Sequence, residues 1–258
     1  MTSEPRAKPE RRRESGAHAV SLPRLPRPFS LTWRDGAFCH WPIDPDHLQP
    51  HVPEPLEVDT YDGRAWVSIL PFVLARAGLR GTPAIARRTI PELNCRTYVR
   101  YGGRSGLYFF NIDLDSRAIA SLVRRTTGVP CYYARQRVEG TDDEISFWSD
   151  RYASEPATKS ARFVATYSPT GPVFRPDPDS LVEWLTERRA FFSINRGQVL
   201  VGTVEHDPWP LREATVEIAS NTVFEAADLP EPEGQLRSYF CDRLTMTGSV
   251  IRSLGSIE

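Results

Sequence analysis

The chain has 258 residues, 40% of them hydrophobic and 25% charged, with a formal net charge of −1. Such a balance supplies no bulk positive field for tracking phosphates, so nucleic acid is not an expected partner. The longest apolar runs fall short of the roughly 18 residues of a membrane helix, and the N-terminus lacks the roughly 7–15-residue apolar segment of a secretory signal. A cytoplasmic protein with no membrane partner is expected.

Residues 1–28 carry seven Lys/Arg against three Glu, with several prolines. They hold too few apolar groups to offset the entropy of ordering, so they are expected to form a disordered basic Pro/Arg-rich tail in which Arg11, Arg12 and Arg13 are a solvated charge run. Residues 29–258 suit a single domain, because β-barrels commonly run to about 200–250 residues without splitting. In chain order the β-rich runs are 29–33, 64–72, 92–101, 106–114, 129–138, 144–152, 161–167, 198–206 and 214–223, separated by Gly/Pro/Asp turns such as YGGRSG and EGTDDE. Two helices stand out. Ser116 caps one that carries Ile119, Leu122 and Val123 on a single face and stops at Gly128, and Pro178, Asp179 and Ser180 open another over LVEWLTERRAFF, residues 181–192. So many strands with two or three helices predict a mainly β (α+β) fold, antiparallel and curled or closed to remove its edges.

The stretch PELNCRTYVRYGG, residues 91–103, alternates with period two: Glu92, Asn94, Arg96 and Tyr98 share one side, and Leu93, Cys95, Thr97 and Val99 the other. In a barrel one side chain in two points inward. The polar set then faces an interior cavity, and Leu93, Cys95 and Val99 pack against an outer layer of helix and loops.

Chemistry-bearing residue types are sparse. Thirty of the thirty-two basic residues are Arg, which leaves Lys8 in the tail and Lys159 as the lysines. Cys39, Cys95, Cys131 and Cys241 are widely spaced with no C-x-x-C pair, so neither a disulfide framework nor a zinc ribbon is expected. His40, His47 and His51 sit near Cys39, but Pro50 and Pro53 remove the helical geometry that the His47–His51 spacing would need as a ligand pair. The chain contains no P-loop, no G-x-G-x-x-G after a strand, no G-x-S-x-G and no H-E-x-x-H. Neither a metal nor a cofactor is expected. Trp209, in EHDPWPL after His206, is expected to plug one end of the barrel.

Residues 40–72 (HWPIDPDHLQPHVPEPLEVDTYDGRAWVSILPF), PELNCRTYV (91–99), GLYFFNIDLDS (106–116), GVPCYYARQRV (128–138) and HDPWPLREA (206–214) resemble the family known as domain of unknown function 2071, grouped with the acetoacetate decarboxylase-like superfamily. The resemblance runs over about residues 29–250 and implies a conical, mostly antiparallel β-barrel enclosing a small-molecule site. Decarboxylases of that superfamily form a Schiff base through a lysine whose pKa is depressed by an adjacent lysine, a system named in general accounts of activated nucleophiles. In those enzymes the lysine pair follows a Gly-x-Pro turn; here Gly128-Val129-Pro130 is followed by Cys131 and Tyr132, neither of which forms an imine. Lys159 lies in a polar stretch where an exposed ammonium is expected.

By the same resemblance Glu92 matches a carboxylate of the decarboxylase cavity. A carboxylate inside a barrel needs a partner or its pKa rises; Arg96 is too far along the strand for a direct bond, and Arg135 is the expected cross-strand partner. Glu92 and Tyr132 are the expected catalytic groups, with Tyr132 facing the cavity if Cys131 points outward. Asn94, Arg96, Tyr98, Tyr108, Arg135 and Cys131 are expected to contact substrate, with the arginines holding a carboxylate in a two-pronged bond. The alternative for Glu92 and its arginines is a structural network that fixes the barrel, and for Cys131 an inert buried thiol. The expected function is acid/base proton transfer on an oxo- or enol-containing organic acid, of lyase, dehydratase, isomerase or cyclase type. A non-catalytic small-molecule binding protein using the same cavity is the alternative, and homo-oligomer formation is left open.

Overall fold

In the computed structural model, residues 25–83, 86–141, 143–153 and 158–257 are described. Residues 29–43 set the pattern: Ala37 and Cys39 are buried on one face and Phe38 and His40 on the other, so this strand is covered by protein on both sides. The strands in order are β1 (Phe29–Ile43), β2 (Glu57–Val58), β3 (Ala65–Leu79), β4 (Arg88–Tyr101), β5 (Arg104–Leu114), β6 (Cys131–Tyr133), β7 (Arg135–Gly140), β8 (Ile145–Arg151), β9 (Ala161–Phe174), β10 (Ala190–Asn195), β11 (Gln198–Glu205), β12 (Leu211–Asn221), β13 (Arg237–Gly248) and β14 (Arg252–Ser256). The helices are α1 (Pro45–Leu48), α2 (Arg117–Thr127), α3 (Leu181–Thr186) and α4 (Val223–Ala226). None of these helices is long and apolar enough to cross a membrane.

The strand path β11-β10-β5-β4-β3-β1-β13 is closed by a further pairing of β11 with β13, which makes a ring, and β13 continues into an arm β12-β9-β8-β7. The ring has no free edge, which is how an antiparallel sheet removes its pairing liability. The fold is the mainly β, barrel-like one that the sequence predicts. Two pairings are parallel rather than antiparallel, β10 with β5 and β6 with β5.

The arm covers the outside of the ring. Leu93, Cys95, Val67, Ile69, Ala37 and Cys39 pack against Phe147, Phe163, Ala165 and Tyr167 of β8 and β9. The outer layer over Leu93 and Cys95 is therefore largely sheet, where helix and loops were expected; Val99 alone of the three packs elsewhere, with Phe192 and Val201. At this interface alternate residues of both sheets interdigitate, as in any sheet-on-sheet core.

Helix α2 follows its local code. Ser116 Oγ accepts from the Ile119 amide, and Gly128 ends the helix at φ 71° with its N–H donating to Arg124 O at 3.1 Å. The second helix is shorter than the sequence predicts. Ser180 caps α3, but the helix stops at Thr186, and residues 190–192 of the expected span belong to β10. The reason is a change of period: Phe191 lines the ring interior while Phe192 packs with Val99, Val199 and Val201, which is strand alternation.

The tail expected over residues 1–24 lies outside the described residues. Residues 26–28, grouped with it, are tied to the body: Pro26 O and Pro28 O accept from the amides of Val250 and Arg80, and Arg27 pairs with Glu205 at 2.5 Å.

Candidate functional site

Strand β4 carries the polar strip. Glu92, Asn94 and Arg96 are all buried and line a cavity of about 230 Å³ inside the ring. Its walls follow from the strand order. On one side β1 and β3 supply Trp33 and Phe72, stacked with centroids 3.9 Å apart; on the other β5 and β10 supply Phe109 and Phe191, edge to face at 5.8 Å. Val204 of β11 and Met246 of β13 complete the circuit, Val123 and Thr127 of α2 and Thr186 at the end of α3 add to the lining, and so do His206 and Trp209 from the loop after β11. Gly36 is required beside this wall, since a Cβ there would stand 2.4 Å from the Trp33 ring and 2.6 Å from Phe72 Cβ.

Trp209, expected as a plug, lines the cavity. Trp209 is buried, meets Trp33 and Phe38 edge to face at 5.1 and 4.9 Å, and its backbone N–H donates to Glu187 Oε1 at 2.7 Å. The His206 ring lies tilted 5.0 Å from it, and burial lowers the His206 pKa, with its bond to Asp207 O pulling the other way.

Glu92 has no ion-pair partner among the described residues, and burial pushes its carboxyl up to about 7, with a contact from the Asn94 amide pulling the other way. A neighbouring pair of guanidiniums shares the space. Arg96 donates through Nη2 to Leu185 O at 3.4 Å and leaves Nε unpartnered; Arg188 bonds Asp59 at 3.0 Å and Trp184 O at 2.9 Å and leaves Nη2 unpartnered. Burial lowers both arginine pKa values, and Asp59 offsets part of this for Arg188. The Tyr98 ring lies 6.0 Å from Arg96 Cζ and 5.5 Å from Arg188 Cζ. Its hydroxyl donates to Leu185 O at 2.9 Å and sits 3.0 Å from Ser68 Oγ, which is 2.7 Å from His40 Nδ1. Tyr98 thus belongs to a hydrogen-bonded floor that fixes α3 and Arg96, and it is not part of the cavity lining.

Four further expected contacts lie elsewhere. Tyr108 projects away from the interior, since its neighbours Leu107 and Phe109 point in, and packs on Phe110 at 5.3 Å. Arg135 is exposed, its guanidinium 5.8 Å from the Tyr152 ring, so it is not the partner of Glu92; β6 ends at Tyr133, and β7 leaves β5 to run with β8. The orientation that would turn Tyr132 inward is reversed: Cys131 does not point outward, so Tyr132 does not face the cavity. Cys131 is in register with the cavity-lining Ile112 and is buried against Ala120 and Leu114, where burial raises its thiol pKa. Tyr132 is in register with Asp113 on the outer face and stacks on Arg151 at 4.7 Å. Cys131 lines one depression separate from the Glu92 cavity, and Tyr132 lines that one and another.

A β-bulge explains the reversal. Cys95 pairs with Asn111 but Arg96 with Phe109, so Phe110 is an extra residue in β5. Past it the parity of the strand flips: Ile112 points in, while Asn111 and Asp113 point out to Arg151.

Sequence reading missed Arg188 and the aromatic walls. Arg188 follows a short helix whose end carried no clear stop signal, and single aromatics in strands read as core. His47 and His51 remain at the surface around the short α1 turn, and among the described residues no group of three or more His, Cys, Asp or Glu is placed to hold a metal ion.

Among solved structures, the enduracididine biosynthesis enzyme MppR in complex with pyruvate is similar at 12% identity with a TM-score of 0.65, over 93% of this chain and 94% of that one. An acetoacetate decarboxylase-like enzyme from Sphingomonas wittichii RW1 has a TM-score of 0.61 at 13% identity, over 94% and 99% of the two chains. Acetoacetate decarboxylase from Legionella pneumophila has a TM-score of 0.55 at 17% identity, over 92% and 94%. These likenesses show the shared acetoacetate decarboxylase-like fold. In sequence, the uncharacterized protein YqjF of Bacillus subtilis (strain 168) is 41% identical over 203 residues, which is 78% of this chain and 82% of that protein. With the profile of DUF2071, described as an uncharacterized conserved protein, matching residues 30–245, the chain belongs to the DUF2071 family.

Proposed function

We propose that the chain is a small-molecule enzyme that moves a proton on an oxo- or enol-containing organic acid held inside the barrel. The observation that carries this reading is that Glu92, without an ion-pair partner among the described residues and with its carboxyl pushed up to about 7, lines the same cavity as the guanidinium of Arg96. General acid/base catalysis is most efficient when the group's pKa lies close to the working pH.

In the proposed step the Glu92 carboxylate takes a proton from the carbon beside the oxo group. The C–H electron pair becomes the C=C bond of an enolate, and the carbonyl electrons move onto oxygen. Glu92, now neutral, returns the proton to the same carbon, to another position or to a leaving group, which spans the isomerase, dehydratase, lyase and cyclase outcomes. Arg96 holds the substrate carboxylate, and Arg188, braced by Asp59, adds positive potential at the developing oxyanion. The apolar walls keep bulk water from Glu92 and so maintain its high proton affinity.

A route without an imine is supported by Lys159, which is 54% exposed on its side chain and paired with Asp228. A nucleophilic lysine is instead desolvated in an apolar pocket or set beside another cation. The complexes of MppR with pyruvate and with the condensation product of pyruvate and imidazole 4-carboxaldehyde support the oxo-acid class for a barrel of this fold.

The test is exchange of the C3 protons of 2-oxo acids in deuterium oxide, followed by NMR. Glu92→Gln is expected to slow the protein-dependent exchange by about 10²–10⁴-fold while affinity for the acid stays within about tenfold. Exchange that is unaltered, or lost only in proportion to binding, would instead identify a non-catalytic binding protein.

A further inference from the structure

The cavity's charge and shape narrow the ligand beyond an oxo acid in general, on the reading that Glu92 and Arg96 form the reacting end. Charge comes first. Arg188 is balanced by Asp59 at 3.0 Å, whereas Arg96 faces no carboxylate partner among the described residues. One uncompensated guanidinium matches one substrate carboxylate. A second carboxylate would meet either the apolar walls, where an unpaired ion is strongly disfavoured, or Arg188, whose charge Asp59 already offsets.

Shape comes second. The polar strip of β4 runs between two aromatic walls, Trp33 with Phe72 on one side and Phe109 with Phe191 on the other. A flat group extending from an acid head on that strip would meet ring faces and edges, and such aromatic pairs contribute beyond their buried area. Volume comes third. At interior packing density a non-hydrogen atom takes on the order of 20 Å³, so the 230 Å³ of the cavity suit a ligand of about a dozen such atoms. Pyruvate, with half as many non-hydrogen atoms, would leave about half of that space unfilled.

We infer that the cavity takes a 2-oxo or enol monocarboxylic acid bearing an aryl group, with its carboxylate on Arg96 and its ring between the aromatic walls.

Isothermal titration calorimetry with phenylpyruvate, 2-oxooctanoate, pyruvate and 2-oxoglutarate tests this. Phenylpyruvate is expected to bind at least about tenfold more tightly than each of the others. Phe109→Leu, at a half-buried position, is expected to cost phenylpyruvate about fivefold and to leave pyruvate unchanged, with the melting temperature checking the fold. The inference is overturned if pyruvate or 2-oxoglutarate binds as well as phenylpyruvate, if the aliphatic 2-oxooctanoate matches it, or if phenylpyruvate does not bind. Its failure is distinguishable from that of the proton-transfer reading. Glu92-dependent exchange on pyruvate with no preference for phenylpyruvate sinks the aryl assignment alone; selective phenylpyruvate binding with exchange indifferent to Glu92→Gln sinks the catalytic reading alone.

Discussion

Two buried carboxylates sit on adjacent strands and face opposite ways. Glu92 of β4 looks into the ring cavity with no ion-pair partner among the described residues, while Asp113 of β5 looks out into the layer between ring and arm, where it accepts from Arg151 Nη1 at 2.7 Å and from Asn111 at 3.4 Å. Burial raises both, Glu92 to about 7 and Asp113 to about 6, and Arg151 and Asn111 restrain the second. Similar proton affinities thus arise in two unlike settings. A perturbed pKa is therefore not in itself a sign of chemistry. What separates the two is whether the carboxyl is locked by a partner or left beside open space.

The largest effect is expected on the locked side. Arg151→Met leaves Asp113 buried without its cation, and loss of one partner of such a pair costs about 3–5 kcal/mol. Denaturant titration should show that loss, and adding Asp113→Asn to the same chain should recover most of it. Recovery of none would mean that Arg151 acts through packing under Tyr132 instead of through charge.

The next effect concerns the open side and has a pH signature. The folded-state pKa of Glu92 lies above the ordinary carboxyl value of 4.5, so its contribution to stability is fully present below about pH 4.5 and is lost as pH rises through about 7. A separation of that size corresponds to about 3 kcal/mol at alkaline pH. Glu92→Gln, which cannot ionise, should match the parent in stability near pH 4.5 and exceed it at pH 8.5. A constant difference across that range would show that the carboxyl finds a partner when it ionises.

The smallest effects sharpen the boundary between the two regions. Tyr132→Phe and Arg135→Ala lie on the outer side and should leave proton exchange and oxo-acid affinity within about twofold of the parent, as substitutions away from the cavity do. A tenfold loss from either would place the reacting space outside the ring.

Where sequence reading worked, the governing interaction was local. Glu92, Asn94 and Arg96 share a face because a strand alternates, and Ser116 and Gly128 bound α2 because a hydroxyl caps an amide and glycine tolerates positive φ. It failed where parity depended on a partner strand. Cys131 and Tyr132 were assigned to the wrong sides because their orientation is fixed by register with β5, beyond the bulge at Phe110. Arg135 was given to Glu92 because the chain's departure to β8 after Ala134 leaves no pattern in the residues themselves.

The sequence by itself determined that this is a strand-rich chain with a polar strip on residues 92–96 and just two lysines, since alternation, caps and composition are properties of short segments. Tertiary structure alone decided that the strip looks into a hollow between aromatic walls, that Arg188 joins it, and that Asp113 is turned away and sealed. Those outcomes depend on ring closure, on one inserted residue, and on contacts between segments far apart in the chain, which no local pattern encodes.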